Sequence, residues 1–380
     1  MTSRRNFLKT AATVTAALGV AQIAGAAMAQ GTSAASGSLA DLPKNPEGQS
    51  GRWRPTHRVG FGALPIGNAF FKTIPDSQAI ATVEAAWNSG VRLYDTSPSY
   101  GLGGSERRLG VVLSGKPRDE FVLSTKIGRV MEPDAALGVR DEGQWHDAPS
   151  FKYTYDYTAD GTRRSIEDSL QRLGLARFDI VFVHDLTPGN SELDDYQKQL
   201  DIAKKGAFPT LERMREEGII KAWGLGVNGP ESIMSALEVA KPDIMLAATQ
   251  YTLVNHDKAL EGIIPALEKA GASIMNGAPL HAGFLAGRER FNYGGRPVPA
   301  EMIDKRRKMY TVAQNHKVDL RVAALQFANA HPVVSCVIPG ASSPDQAFQN
   351  VEAFTTKVPA EFWAELRQQK LINEKAPVPA

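Results

Sequence analysis

Four polar side chains have types and placements that can do chemistry. Asp95 ends the apolar run "VRLYD", Tyr100 follows in "TSPSYG", Lys126 closes "FVLSTK" and His184 closes "DIVFVH". A free phenol gives up its proton only near about pH 10. A neighbouring ammonium lowers that value, and a carboxylate behind the ammonium keeps it charged and aimed. A histidine adds a hydrogen bond that orients a substrate oxygen. Together these groups add or remove a proton at a carbonyl or alcohol oxygen. The other half of such a reaction is a hydride, which no side chain donates, so a cofactor is required. Singly, each residue has an ordinary reading: Asp95 as a loop cap, Tyr100 as a rim aromatic, Lys126 as a solvated side chain, His184 as a core histidine. Their shared place at strand ends favours the chemical reading.

The elements that position them follow from eight apolar runs: Val59–Gly67, Val91–Thr96, Phe121–Gly128, Phe178–Asp185, Ile220–Val227, Ile244–Tyr251, Ala272–Leu280 and Val333–Gly340. Most are nearly continuous, as strands buried on both faces of a parallel sheet are. Helical patterns such as "DSQAIATVEAAWNSG" and "TRRSIEDSLQRLG" lie between, with Asp76 and Thr162 at N-cap positions and Gly90 and Gly174 at C-cap positions. The alternation predicts a single-domain α/β protein, a (β/α)8 TIM barrel, with a doubly wound sheet as competitor. In a barrel the C-terminal strand ends meet on one face, where sites are built. Asp95, Lys126, His184, Asn228 and Gln250 all fall there. Residues 128–160 read as a long loop whose Trp145, Phe151, Tyr153, Tyr155 and Tyr157 wall a pocket or pack on the rim. The glycines of "GLGG", after Tyr100, are expected to hold the mouth open.

Composition narrows the field. The chain has 380 residues and a formal net charge of +2, too little to argue for nucleic acid. Its one cysteine, Cys336, excludes an intrachain disulfide and a cysteine metal cluster. The remaining histidines, His57, His146, His256, His281, His316 and His331, lack metal-ligand spacing, so no metal is expected. His146 and His256 are kept as substrate-contact candidates. Residues 1–29 have a basic start, a middle rich in Ala, Thr and Gly, and Ala27-Met28-Ala29 at the end. "SRRNFLK" resembles the twin-arginine signal, which predicts the twin-arginine export machinery as partner, a mature start at Gln30, a periplasmic location and no stable membrane anchor. Residues 30–55 read as a linker and 56–380 as the barrel.

The ordered set "DTSPSYGLGGSERRLG", "STKIGR", "FVHD", "NGAPLHAGFLAG" and "VIPGASSPDQAFQN" resembles the successive motifs of the aldo-keto reductase family, over nearly the whole chain from Val59. The resemblance implies that Asp95, Tyr100, Lys126 and His184 are the catalytic four. Tyr100 would be the general acid/base, tuned by Lys126 and Asp95, with His184 orienting the carbonyl. It further implies a nicotinamide cofactor. Asn228 and Gln250 would hold the carboxamide, and Leu280, Gly283 and Leu285 the pyrophosphate through backbone. Gly340, Ala341, Ser342 and Gln346 would clamp the adenosine phosphate, and Asn350 would meet the adenine. Gly340 and Gln346 stand where NADP-specific members often carry Lys and Arg, which favours NAD over NADP. The segment Asn276–Leu280 lacks the tyrosine that often stacks on the nicotinamide. "SIEDSLQRLGLARFDIVFVHD" and "VGFGALPIGNAFF" are similar to aldose dehydrogenase and pyridoxal dehydrogenase members. The activity so implied is oxidation of an aldose at C1, or interconversion of a carbonyl and an alcohol. The alternatives are an NADP-dependent reductase of small aldehydes and a cofactor-binding redox sensor with slow turnover. Export of a folded protein would carry the cofactor out, so tight retention is expected.

Overall fold

The computed structural model describes residues 42–46, 51–70, 73–293 and 297–379. The expected export leader, residues 1–29, lies outside them. Twelve strands run in chain order: β1 (Phe61–Gly62), β2 (Leu93–Asp95), β3 (Val122–Ile127), β4 (Arg129–Pro133), β5 (Arg140–Glu142), β6 (Trp145–Ala148), β7 (Phe151–Tyr155), β8 (Ile180–His184), β9 (Ala222–Val227), β10 (Ile244–Ala248), β11 (Ser273–Gly277) and β12 (Val334–Ile338). Eight of them form one parallel sheet in the order β1-β2-β3-β8-β9-β10-β11-β12. Parallel bridges Val59–Val337 and Gly62–Gly340 join its two edges and close the barrel. The eight expected runs are these eight strands, shortened at their ends because several of the flanking residues belong to turns.

Strand alternation decides what faces the barrel axis. Leu93, Ile180, Phe182, Ala222, Ile244, Leu246, Met275 and Cys336 pack together inside. Their neighbours Tyr94, Leu123, Val181, Val183 and Leu225 pack outward, in the core that also holds the helices. Asp95 shares the parity of Leu93, Lys126 that of Ser124, and His184 that of Phe182. One end of the barrel therefore carries the polar residues on its inner side.

Several local expectations are corrected. Asp76 is the first residue of helix Asp76–Asn88 and makes no capping hydrogen bond; Pro75 precedes it as N-cap. Ser89 ends that helix, with Gly90 one residue further on at φ 94°. Thr162 lies inside helix Ala159–Leu173; the cap is Thr158, whose hydroxyl accepts from the Gly161 amide. Gly174 is the left-handed C-cap, as expected. Residues 128–160 are not an irregular loop. β4 pairs with β7 and β5 with β6, both antiparallel, as an excursion between β3 and helix Ala159–Leu173. The expected linker boundary at residue 55 also falls within the folded body. Asn45 donates to the carbonyls of Pro55 and Ser335 at 2.7 and 2.8 Å, and Arg54 to that of Pro332 at 2.7 Å.

Candidate active site

Asp95, the last residue of β2, and Lys126 of β3 form an ion pair of 2.7 Å at 1% exposure each. The Lys126 ammonium also donates to the Thr96 carbonyl at 2.8 Å, and the Ser124 hydroxyl donates to the other Asp95 oxygen at 2.7 Å. A pair this deep persists only because extra hydrogen bonds satisfy both partners. Burial pushes the Asp95 carboxyl up and the Lys126 ammonium down; their mutual attraction opposes both shifts.

Tyr100 lies over this pair. Its ring centroid is 4.6 Å from the Lys126 ammonium, 5.9 Å from the His184 ring in an edge-on arrangement, and 5.8 Å from Trp145. Burial raises the phenol well above its ordinary value, and the carboxylates of Asp95 and Asp185 raise it further. Arg129 is the group that opposes them. Lys126 is not among the groups that move the phenol; two of its three donors are engaged by Asp95 and Thr96, and its ammonium faces the ring.

The turn after Tyr100 is packed rather than open. Gly101 has φ 63°, and a Cβ on it would fall 2.4 Å from the Gly67 carbonyl oxygen. Here glycine permits contact between two backbones, and no gap at the mouth results. Helix Gly104–Leu113 follows, anchored by buried Glu106, which accepts from Thr125 at 3.2 Å and Arg172 at 2.6 Å. Arg108 donates to Ile66, Asn68 and Ile74, fixing the loop that Tyr100 packs against.

His184 ends β8. The Ser97 hydroxyl lies 3.2 Å and the Arg129 Nη1 3.4 Å from its Nδ1. The Tyr157 hydroxyl donates to its carbonyl at 2.8 Å. Burial pushes the imidazole down to about 3; Asp185 pulls it up, and Arg129 and Lys126 lower it. It is a neutral hydrogen-bonding group at neutral pH. Arg129 pairs with Asp185 at 2.8 Å and Glu192 at 3.3 Å, and the hydroxyls of Tyr153 and Tyr155 donate to Glu192 at 3.0 and 2.8 Å. Sequence reasoning missed Ser97, Arg129, Asp185 and Glu192. The signal for three of them was inside the quoted motifs, Ser97 in "DTSPSYGLGGSERRLG", Arg129 in "STKIGR" and Asp185 in "FVHD".

The two histidines kept as substrate contacts are placed elsewhere. His256 is fully buried, with Nδ1 against the Thr252 carbonyl and Nε2 accepting from the Asn373 amide, at 2.9 and 3.0 Å. His146 on β6 bonds Asp141 and the Phe70 carbonyl, at 3.1 and 3.0 Å. Among the described residues no group of His, Cys, Asp and Glu forms a metal site.

The residues expected to hold a cofactor lie along the other half of the same rim. Asn228 directly follows β9 and is exposed. Gln250 lies two residues past β10, and its amide donates to the Asn228 carbonyl at 2.6 Å. Gly226, Ala248 and Gly277 are small residues at the C-terminal ends of β9, β10 and β11. Leu280 is partly buried, and Leu285 is in the core at 2%, its amide donating to the Leu280 carbonyl at 3.2 Å. Gly283 adopts φ 92°. Ser343 caps helix Pro344–Glu352 by accepting from the Gln346 amide. The amide and hydroxyl of Ser342 donate to Gln346 Oε1 at 2.9 and 3.2 Å, and Asn350 donates to the Gly340 carbonyl at 3.1 Å. Ala341 is buried beside them. The set fits a nicotinamide dinucleotide: carboxamides match a carboxamide, and hydroxyls at a helix N-terminus match a phosphate. No tyrosine stands in Asn276–Leu280, but the Tyr293 hydroxyl lies 3.5 Å from Asn228 Oδ1. Gly340 also has a packing reason to be glycine, since a Cβ there would meet Pro65 Cγ at 2.7 Å.

The polar cluster lies at the C-terminal strand ends of a (β/α)8 barrel, the face on which enzymes of this fold build their sites. The sequence pattern of the Aldo/keto reductase family matches residues 58–370, and the chain belongs to that family. It is 38% identical over 322 residues to D-threo-aldose 1-dehydrogenase of Pseudomonas sp, covering 83% of this chain and 94% of that one. Pyridoxal 4-dehydrogenase of Microbacterium luteolum is 34% identical over 329 residues, with the same two coverages, 83% and 94%. An aldo-keto reductase of Bacillus halodurans in its holo form shares the fold at TM-score 0.61 and 24% identity, over 85% of this chain and 94% of that one. The protein is an NAD(P)-dependent oxidoreductase acting on alcohol or carbonyl groups.

Proposed function

We propose that the protein oxidises an aldose at C1, with Tyr100 as the proton acceptor. The observation that carries this reading is the stack of the buried Asp95–Lys126 pair, the Tyr100 ring and the neutral, edge-on His184, at 4.6 and 5.9 Å. It stands in a chain 38% identical to D-threo-aldose 1-dehydrogenase. The anomeric hydroxyl gives its proton to the Tyr100 oxygen as the C1–H bond breaks. Because burial raises the phenol, Tyr100 must first release its own proton before it acts as base, and in the reverse direction the protonated phenol is the donor to the carbonyl oxygen. His184 orients the reacting oxygen without adding charge. Asn228 and Gln250 would hold a nicotinamide, which would supply the hydride acceptor. Trp145, Tyr153 and Tyr155 wall the site from the excursion β4–β7; such a wall also suits an aromatic substrate, and the likeness to pyridoxal 4-dehydrogenase makes pyridoxal the second candidate.

We favour NAD over NADP. Neither Gly340 nor Gln346 offers a cation, and the Gln346 amide oxygen is turned to Ser342. Charge-assisted contacts are the strong ones to a phosphate. We also propose export by the twin-arginine route with the cofactor already bound, supported by "SRRNFLK" and Ala27-Met28-Ala29. N-terminal sequencing of the mature protein and analysis of nicotinamide released on denaturation test both points. A start at Gln30 with bound NAD is expected; uncleaved, empty protein contradicts them.

The activity is tested by following cofactor reduction with aldoses and pyridoxal in the presence of NAD or NADP, and cofactor oxidation with small aldehydes in the presence of NADH or NADPH. Lactone formation from an aldose with NAD is expected. Reduction of small aldehydes with NADPH, without turnover of any aldose, contradicts the reading.

A further inference from the structure

We infer that Arg129 is a positioning residue that fixes the tautomer of His184, leaving Nδ1 as acceptor and the proton on Nε2. A neutral imidazole carries its proton on either nitrogen, and its partners decide which. At Nδ1 the partners are the Ser97 hydroxyl at 3.2 Å and Arg129 Nη1 at 3.4 Å. The hydroxyl is indifferent, since it donates or accepts, and it has Ser99 Oγ at 3.0 Å as another partner. The guanidinium only donates and does not deprotonate. Facing it, Nδ1 accepts, so Nε2 bears the hydrogen. Asp185 Oδ2 lies 3.6 Å from Nε2 and favours a proton there as well.

Arg129 is itself held in place. It is 9% exposed, bonds Asp185 at 2.8 Å and Glu192 at 3.3 Å, and has the rings of Tyr155 and Tyr153 at 4.7 and 5.4 Å. Glu192 is fixed by the hydroxyls of both tyrosines. The excursion β4–β7 therefore aims the guanidinium at the histidine. The other groups facing His184 are Asp185 on its own chain segment, Lys126 from β3 with Asp95 behind it, the ring of Tyr100, and the Tyr157 hydroxyl on its carbonyl. Burial first, with Arg129 and Lys126 adding to it, holds the imidazole neutral, and Asp185 acts the other way.

The inference rests on the proposed function only for its kinetic arm. The direct arm needs no turnover. Histidine ring nitrogens are observed by 15N NMR in the full chain, with His184 assigned by the signal missing from His184→Asn. Wild-type protein is expected to show an acceptor Nδ1 and a protonated Nε2 from about pH 5 to 9. In Arg129→Met the tautomers should mix and the imidazole should protonate at higher pH, because Asp185 is left without its cation. Arg129→Lys, a donor without acceptor capacity, should restore the wild-type pattern. In turnover, the acid limb of kcat/KM should move up by about one pH unit in Arg129→Met and return in Arg129→Lys. A protonated Nδ1 in wild-type protein overturns the inference, and that spectrum decides even where Arg129→Met does not fold. An unchanged tautomer and acid limb in Arg129→Met overturn it too. If no aldose is turned over, the proposed function fails while the nitrogen spectra still decide on Arg129.

Discussion

The two halves of the barrel mouth are built differently. On the β2–β3–β8 half, Asp95, Lys126 and His184 are nearly fully buried, and each has at least one partner within 3.5 Å. On the β9–β12 half, Asn228 is exposed, Gln250 bonds a neighbouring carbonyl, and Gly340 is packed against Pro65. The first half is preorganised by ionic and polar contacts that are costly to break. The second is small side chains, backbone and a helix N-terminus, a surface that gains its partners from a ligand. On the proposed reading, the difference separates what each half would control: proton transfer on one side, cofactor identity on the other.

The largest effect should come from breaking the first half. Lys126→Met leaves the Asp95 carboxylate buried beside Ser124 alone. A broken buried pair costs about 3–5 kcal/mol, so urea unfolding should shift by that order and turnover should be lost. A variant as stable as wild type would show that the pair is not the anchor of the site.

A smaller effect separates the halves by pH. His184 titrates near about 3 in the fold against 6.5 ordinarily. Below 6.5 the unfolded chain takes the proton first, so stability is intact above that pH and is lost as pH falls toward about 3. The slope from this one group is at most about 1.4 kcal/mol per pH unit. His184→Asn should flatten the acid side of a stability-against-pH curve, whereas Asn228→Ala should leave it unchanged. Equal curves for the wild type and His184→Asn would count against a buried neutral imidazole.

The smallest effects are expected on the second half. Gln346→Arg adds a cation beside Ser342 and should improve NADP over NAD by about tenfold, the order of one charge-assisted hydrogen bond. Gly340→Lys should instead lower stability, because its Cβ meets Pro65. The ratio of kcat/KM for the two cofactors, with thermal unfolding alongside, checks both. A clean gain of NADP use in Gly340→Lys would show that Pro65 yields.

The same contrast explains what was legible in the sequence. Eight strands were readable because buried parallel strands are continuous apolar runs, and Asp95, Lys126 and His184 because a lone polar residue at the end of such a run stands out; Tyr100, in the turn beyond β2, was legible through the family resemblance. Helix boundaries slipped where capping chemistry is shared among neighbours: Thr158, not Thr162, bonds the Gly161 amide. The β4–β7 excursion was missed because its residues alternate with charges and its pairs span up to 26 positions, Arg129 to Tyr155, which no local pattern shows. Arg129 and Asp185 lay in plain view, yet their importance comes from a contact across 56 positions. Gly340 misled in another way. It read as a cofactor determinant, and in the fold it also answers a steric demand from Pro65.

The central claim, that proton transfer and cofactor binding are housed in separate halves, is tested most directly by Tyr100→Phe. NAD affinity, by fluorescence titration, and aldose oxidation at saturating NAD would be measured on the same preparation. The account predicts affinity within about twofold of wild type and turnover lower by about 10²–10⁴-fold, the range of a lost general base. Turnover near the wild-type rate, or loss of NAD binding together with turnover, would contradict it.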